Sequence, residues 1–320
     1  MRSRTFRGIG PVSEVGYGLW GMGGWSGSND DESVAALERA VALGCTFFDT
    51  ALAYGQGKSE QLLGRVLARH RDKRLIVATK IPPGNLKWPA LDEYRLEDVF
   101  SADHIRRSTE TSLKNLGLAS VDLQQLHVWS DTWADDARWQ RAVDDLKREG
   151  LIRAFGISVN RWQPANVIRA LRTGLVDSVQ VVYNVFDQNP EDELFPVCRE
   201  LGVSVIARVP LDEGSLTGTL TRDSRWPEGD WRNLYFTRDQ LAATLARVEA
   251  LQRDVPAGMT LPELALRFIL ANPDVTTVIP GMRRVRHVET NLGISDGSPL
   301  PADMLARLSG HRWVRTHVVV

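Results

Sequence analysis

GCTFFDTALAYGQGKSEQLLGRVLARHRDKRLIVATK, residues 44–80, holds two short apolar runs, Thr46–Asp49 and Leu75–Lys80, separated by a helical pattern over Ser59–Ala68. The runs are rich in β-branched and aromatic residues and too short for helices, whereas Leu62, Leu63, Val66 and Leu67 recur along one helix face. Strands joined through a helix lie parallel, so this stretch predicts one turn of a parallel α/β structure.

The same rhythm extends in both directions. Val15–Trp20 reads as an earlier strand, and Val121–Val128, Ile152–Ser158, Ser178–Tyr183, Ser204–Arg208 and Thr277–Pro280 as later ones, which makes eight. Helical patterns cover Asp31–Leu43, Ala102–Leu116, Ala134–Glu149, Ala165–Arg172, Glu193–Leu201 and Pro262–Ala271 between them. Gly44, Gly117, Gly150, Gly174 and Gly202 stand between a helix and the next strand, where a left-handed C-cap favours glycine. Alternation alone would also suit an open doubly wound sheet. That fold carries its phosphate-binding glycines at the start of the first helix. Here GMGGWSG, residues 21–27, precedes a separate cap signal, Ser28-Asn29-Asp30-Asp31. The expectation is therefore a single-domain (β/α)₈ TIM barrel over residues 1–320, with an N-terminal β-hairpin and long βα loops. The hairpin is Thr5–Ser13 around Gly8-Ile9-Gly10-Pro11, closing the barrel floor. The loops are Pro82–Phe100 and Pro210–Thr237, the second an aromatic lid with Trp226, Trp231, Tyr235 and Phe236, followed by a helical segment over Arg238–Arg253.

Composition narrows the function. Thirty-nine basic against 40 acidic residues give a formal charge of −1, without the basic surface a nucleic acid requires. No stretch approaches the roughly 18 apolar residues of a membrane helix, and no leader is legible at the start, so a cytoplasmic chain is expected. Cys45 and Cys198 have no metal or disulfide spacing and read as core residues; no metal is expected.

On a barrel, side chains at strand carboxyl ends point into the site. Three consecutive strands end in polar residues: FFDTALAYG supplies Asp49 and Tyr54, VATK supplies Lys80, and QLHVW supplies His127. Each has an ordinary structural reading alone, but together they suit carbonyl reduction, in which hydride addition builds negative charge on oxygen. A tyrosine holds its proton at neutral pH but is a weak acid. A lysine about 4 Å away, at an effective dielectric near 20, interacts with a unit charge by roughly 4 kcal/mol and lowers such a pKa by up to about three units. Tyr54 is thus the expected proton donor, Lys80 its activator, Asp49 the anchor of Lys80, and His127 the donor that orients the carbonyl.

This constellation resembles the catalytic tetrad of the aldo-keto reductases, in the NADPH-dependent bacterial and potassium-channel β-subunit-like branch. The likeness runs from GLWGMG through FFDTALAYGQGKSEQLLG, VATKI, LHVW, IRAFGIS and VQVVYN to VIPGMRR. It implies a nicotinamide cofactor bound at the strand carboxyl ends. The family's carboxamide contacts fall on Ser158 and Gln180; Val159 stands where asparagine is common, which makes Asn160 the candidate amide. Arg208 takes the place of an aromatic that stacks on the nicotinamide, a role a guanidinium also serves. PLDEGSLTG resembles the loop over the pyrophosphate, implying Pro210, Leu211, Gly214, Ser215, Leu216 and Gly218. Further contacts are implied at Trp20, Gly21, Gly281, His287 and Asn291. Arg283 and Arg284 open a helix whose free N–H groups and dipole attract phosphate, which favours NADPH. Thr290 replaces a glutamate that contacts adenine in a related pattern, and NADH stays open. Trp20, Trp25, Trp88 and Trp129 are the candidate substrate walls, for a small-molecule carbonyl or alcohol. Two alternatives remain: a cofactor-binding regulatory subunit, and an enone C=C reductase, whose branch has an acidic residue where this chain has His127. The oligomeric state is left undetermined.

Overall fold

The computed structural model describes residues 1–24 and 27–315. Two antiparallel strands, β1 (Ser3–Phe6) and β2 (Gly10–Ser13), form the expected hairpin. Eight parallel strands follow: β3 (Tyr17–Gly18), β4 (Phe47–Asp49), β5 (Ile76–Ile81), β6 (Val121–Leu126), β7 (Ile152–Ser158), β8 (Ser178–Val182), β9 (Ser204–Arg208) and β10 (Val275–Val278). They neighbour one another in chain order, and parallel bridges Val15–Val278 and Gly18–Gly281 close the ring between first and last. The barrel expectation is met.

Edges shift where local pattern is weakest. The first strand stops at Gly18, and Trp20 lies in a 3₁₀ turn, Trp20–Met22. The last strand begins two residues earlier than Thr277, and its pairing with β9 carries an irregularity between Val275 and Thr277. Helices Leu96–Phe100 and Arg232–Tyr235 stand inside the two long loops, and Val285–Gly293 and Ala302–Ser309 complete the outer layer. The first outer helix, Asp30–Ala42, starts where the cap signal predicts: the Asn29 side chain accepts from the Asp31 and Glu32 amides at 2.9 and 3.0 Å.

Side-chain alternation stacks the barrel interior in levels. At the bottom, Phe47, Ile76, Ala78, Leu123, Ala154, Ile206 and Ile279 form one apolar cluster with Phe6, Ile9 and Val12 of the hairpin, which plugs the floor. Two residues beyond Phe47, Ala78 and Leu123 on β4, β5 and β6 stand the polar Asp49, Lys80 and Gln125, joined by Gln180 of β8. His127 follows the end of β6, and Ser158 and Arg208 end β7 and β9. The outward-facing strand residues and the helices form the larger core, which contains Cys198 and Cys45, both free thiols. Among the described residues no helix is long and apolar enough to cross a membrane, and no group of His, Cys, Asp and Glu could hold a metal ion.

Candidate active site

The polar level is a hydrogen-bonded knot centred on Asp49. Lys80, with no exposed side-chain surface, places Nζ 2.5 Å from Asp49 Oδ1. It also donates to the Thr50 carbonyl at 2.8 Å and to Tyr54 Oη at 3.4 Å. The other carboxylate oxygen accepts from Gln180 Nε2 at 2.8 Å and Gln125 Nε2 at 3.2 Å. Asp49 is therefore fully paired in a site that would heavily penalise a lone charge. Burial opposes the Lys80 ammonium, but Asp49 and Tyr54 outweigh it and hold its pKa above the ordinary lysine value.

Tyr54 reaches this level from the turn after β4. That turn crosses the loop after β3 at glycine against glycine: a Cβ on Gly23 would stand 2.8 Å from the Gly55 nitrogen. Part of the GMGGWSG run is thus explained by close backbone approach rather than by phosphate binding. The His127 ring meets Tyr54 edge to face at 5.7 Å and Trp88 edge to face at 5.8 Å. The four expected catalytic side chains are brought together.

One electrostatic expectation is overturned. Burial raises the Tyr54 pKa by more than Lys80 lowers it, leaving the phenol above its ordinary value. Sequence shows the charged neighbour but not the desolvation. His127 is driven well below the usual imidazole range by burial, then by Lys80 and Arg208, so its ring is neutral at pH 7.

The cofactor candidates divide by what already engages them. Ser158 is buried at the mouth. Gln180 gives its amide N–H groups to Asp49 and Gln125, leaving its carbonyl oxygen as the contact it can offer. Asn160 donates to the Ala90 carbonyl at 3.0 Å, so its amide ties together the loops after β5 and β7. Arg208 donates Nη2 to the Val159 carbonyl at 3.0 Å, while its buried Nε has no partner. Burial holds that guanidinium below its ordinary range, and its field acts on both Tyr54 and His127. Pro210, Leu211, Gly214 and Gly218 outline a tight loop after β9, within which Ser215 donates to Asp212 at 2.5 Å; the Leu216 side chain is fully buried in the core.

At the opposite side of the mouth, the absence of a side chain on Gly21 lets the Arg283 chain lie across it, its Cδ 2.8 Å from where a Cβ would stand. Gly281 faces open space, and Arg284, the N-cap of helix Val285–Gly293, makes no side-chain cap bond. An uncapped helix N-terminus at Arg284, with Arg283 beside it, fits a phosphate-bearing cofactor. On that helix Asn291 is buried, exposed His287 accepts from Arg286 Nε at 3.3 Å, and the Thr290 hydroxyl is spent on the Arg286 carbonyl at 2.9 Å.

The substrate walls need a correction. Trp20 and Trp88 are 38% and 43% exposed at the mouth. Trp129, expected beside them, has no exposed surface and packs edge to face on Trp133 and Trp139 at 5.6 and 5.3 Å. It follows His127 by two residues, but β6 has ended and the chain has turned, so alternation no longer applies and the ring joins the helix layer. Trp25 lies outside the described residues.

Several residues were not anticipated. Gln125 stands two positions before His127 on β6, and the same period that placed His127 could have found it. Trp231, expected on the aromatic lid, faces Trp20 edge to face at 6.3 Å. A buried ionic group beneath the loop after β9 joins Arg161, Asp187, Asp212, Glu213 and Arg315. Burial, reinforced by Asp212 against the pull of Arg161, pushes the Glu213 carboxyl up to about 7. No local pattern could have revealed that group.

The model of the aldo/keto reductase family matches residues 14–312. The aldo-keto reductase yakc of Schizosaccharomyces pombe, whose name carries NADP(+), is 32% identical over 88% of this chain and 83% of its own. The NADH-specific methylglyoxal reductase of Escherichia coli is 30% identical over 88% of this chain and 89% of its own. The glycerol dehydrogenase structure from Gluconobacter oxydans superposes with a TM-score of 0.80 at 27% identity, covering 97% of this chain and 94% of that one. With a family model spanning nearly its whole length and the Asp49–Tyr54–Lys80–His127 cluster at the barrel mouth, the chain belongs to the aldo/keto reductase family.

Proposed function

We propose that the chain is an NAD(P)H-dependent oxidoreductase that reversibly reduces an aldehyde or ketone to the alcohol, with Tyr54 as proton donor. The observation that carries this reading is the buried Lys80 ammonium, held 2.5 Å from Asp49 and 3.4 Å from the Tyr54 hydroxyl. When bound, the reduced nicotinamide supplies the hydride. The chain's own residues supply the rest. Neutral His127 has an N–H to offer the carbonyl oxygen, which fixes its orientation and favours the charge that develops there. Tyr54, kept protonated by its raised pKa, gives its proton to that oxygen. Lys80 then faces a phenolate, the form that the ammonium stabilises most. Arg208 offers a planar face beside the same centre.

Arg283 and Arg284 at the helix terminus support NADPH as the preferred cofactor, in keeping with the name of the fission-yeast relative. The name of the Escherichia coli relative keeps NADH as the alternative. Trp20 and Trp88 at the mouth support a small-molecule carbonyl or alcohol as substrate.

The test is Tyr54→Phe in single-turnover kinetics. Removing only the phenolic proton lowers the hydride-transfer rate by about 10² or more while cofactor affinity stays close to wild type. A near-normal single-turnover rate refutes the assignment.

A further inference from the structure

The loop after β9 adopts a backbone that its sequence does not favour. Val209, Asp212 and Glu213 have φ of +55°, +44° and +54°, and Gly214 has φ of +103°. Two consecutive non-glycine residues in the left-handed region persist only where their surroundings over-determine them. Here the surroundings are four donors on one buried carboxylate. Asp212 Oδ1 accepts from Arg161 and from Tyr235 Oη, both at 2.9 Å. Oδ2 accepts from Arg315 and from Ser215, both at 2.5 Å. Arg161 and Arg315 thereby outweigh burial and keep the carboxyl below its ordinary range.

The donors come from distant parts of the chain. Arg161 follows β7, Tyr235 ends the short helix of the long loop, and Arg315 lies 103 residues beyond Asp212. Arg315 is 2% exposed and also donates to the Tyr235 hydroxyl. Its guanidinium lies 5.1 Å from the Tyr235 ring centre and 4.3 Å from that of Trp313. Trp313 is itself fixed, its amide donating to the Phe186 carbonyl at 2.9 Å. Tyr235 packs on Trp231 at 5.3 Å, which reaches Trp20 across the mouth. One buried carboxylate thus ties the loop after β9 and the aromatic loop to the C-terminal segment.

We infer that Arg315 is a positioning residue for cofactor retention: by clamping Asp212 and Tyr235 together it holds the loop after β9 in its gripping conformation. The inference rests on the oxidoreductase reading above. Arg315 does not line the site, and it acts through Asp212 and Tyr235. Removing it frees Asp212 from one of its two cations and loosens both loops together, so the effect falls on cofactor release.

The experiment measures NADPH binding and release by quenching of tryptophan fluorescence in stopped flow, at a temperature where every variant is folded by circular dichroism. Arg315→Ala is expected to speed release at least tenfold, Arg315→Lys to recover part of that loss, and Tyr235→Phe, which removes only a hydroxyl, to speed release several-fold. Partial rescue by lysine separates clamping from general destabilisation. Wild-type release rates in Arg315→Ala overturn the inference, as does a lysine variant no better than alanine. If Arg315→Ala does not fold, Tyr235→Phe decides, and an unaltered rate overturns it. A wild-type chain that binds neither NADPH nor NADH overturns the oxidoreductase reading and this inference with it, whereas wild-type binding with unchanged release in the variants overturns this inference alone.

Discussion

Replacing Lys80 with methionine isolates the interaction on which the site depends. The substitution keeps length and apolar volume but removes the ammonium 2.5 Å from Asp49 in a fully buried pair. Stranding one member of such a pair costs about 3–5 kcal/mol. The lower end applies here, because Gln125 and Gln180 still donate to the other carboxylate oxygen. For a chain of this size about 2 °C of melting temperature accompanies each kcal/mol, so a fall of about 6–8 °C is expected. Asp49→Asn alone strands the ammonium on the Thr50 carbonyl and Tyr54, and destabilises by a similar amount. The double variant leaves no unpaired charge, so its loss falls short of the summed single losses by about 2 kcal/mol or more. Urea denaturation of all four proteins at pH 7, followed by circular dichroism, measures this coupling. Additive losses, or a Lys80→Met loss under about 1 kcal/mol, refute the picture of a desolvated and mutually dependent pair.

Arg283→Ala/Arg284→Ala weakens NADPH more than NADH in fluorescence titrations, and equal losses remove the phosphate assignment. Trp129→Ala empties a core site and destabilises by about 3–5 kcal/mol in a denaturant titration. Trp88→Ala, at a residue 43% exposed, costs under about 1 kcal/mol but raises substrate KM; the reverse pattern would return Trp129 to the pocket. Glu213 makes stability depend on pH with an unusual sign. Its folded pKa of about 7 lies above the ordinary glutamate value of about 4.5, so the native state holds the extra proton between those limits and stability falls as pH rises through that window. The loss is about 3 kcal/mol at most. Glu213→Gln removes this component, and a difference between wild type and variant that is the same at pH 5 and pH 8 contradicts it.

What the sequence discloses follows from which interactions are periodic. Asp49, Lys80 and His127 were legible because each sits at the carboxyl end of an apolar run, where alternation fixes direction. The five helix-ending glycines were legible for a local reason too, and all take φ between +65° and +85°. Alternation fails where strands end, which is why Trp129 was misplaced. It is silent on helices as short as Leu96–Phe100 and Arg232–Tyr235, which carry too few residues to show a period. The Tyr54 pKa needed burial as well as charge. The partners of Asp212 needed the third dimension altogether, since Arg315 belongs to no motif shared with it.

The floor hairpin bears on how the protein can be tethered. Because β1 and β2 seal the end opposite the mouth, Met1, which is 43% exposed, leaves the barrel on the face away from the chemistry. Arg315, by contrast, lies against the loop after β9. An affinity tag, fusion partner or solid support attached ahead of Met1 leaves substrate free passage, whereas a load borne by Arg315 is applied directly to the Asp212 clamp.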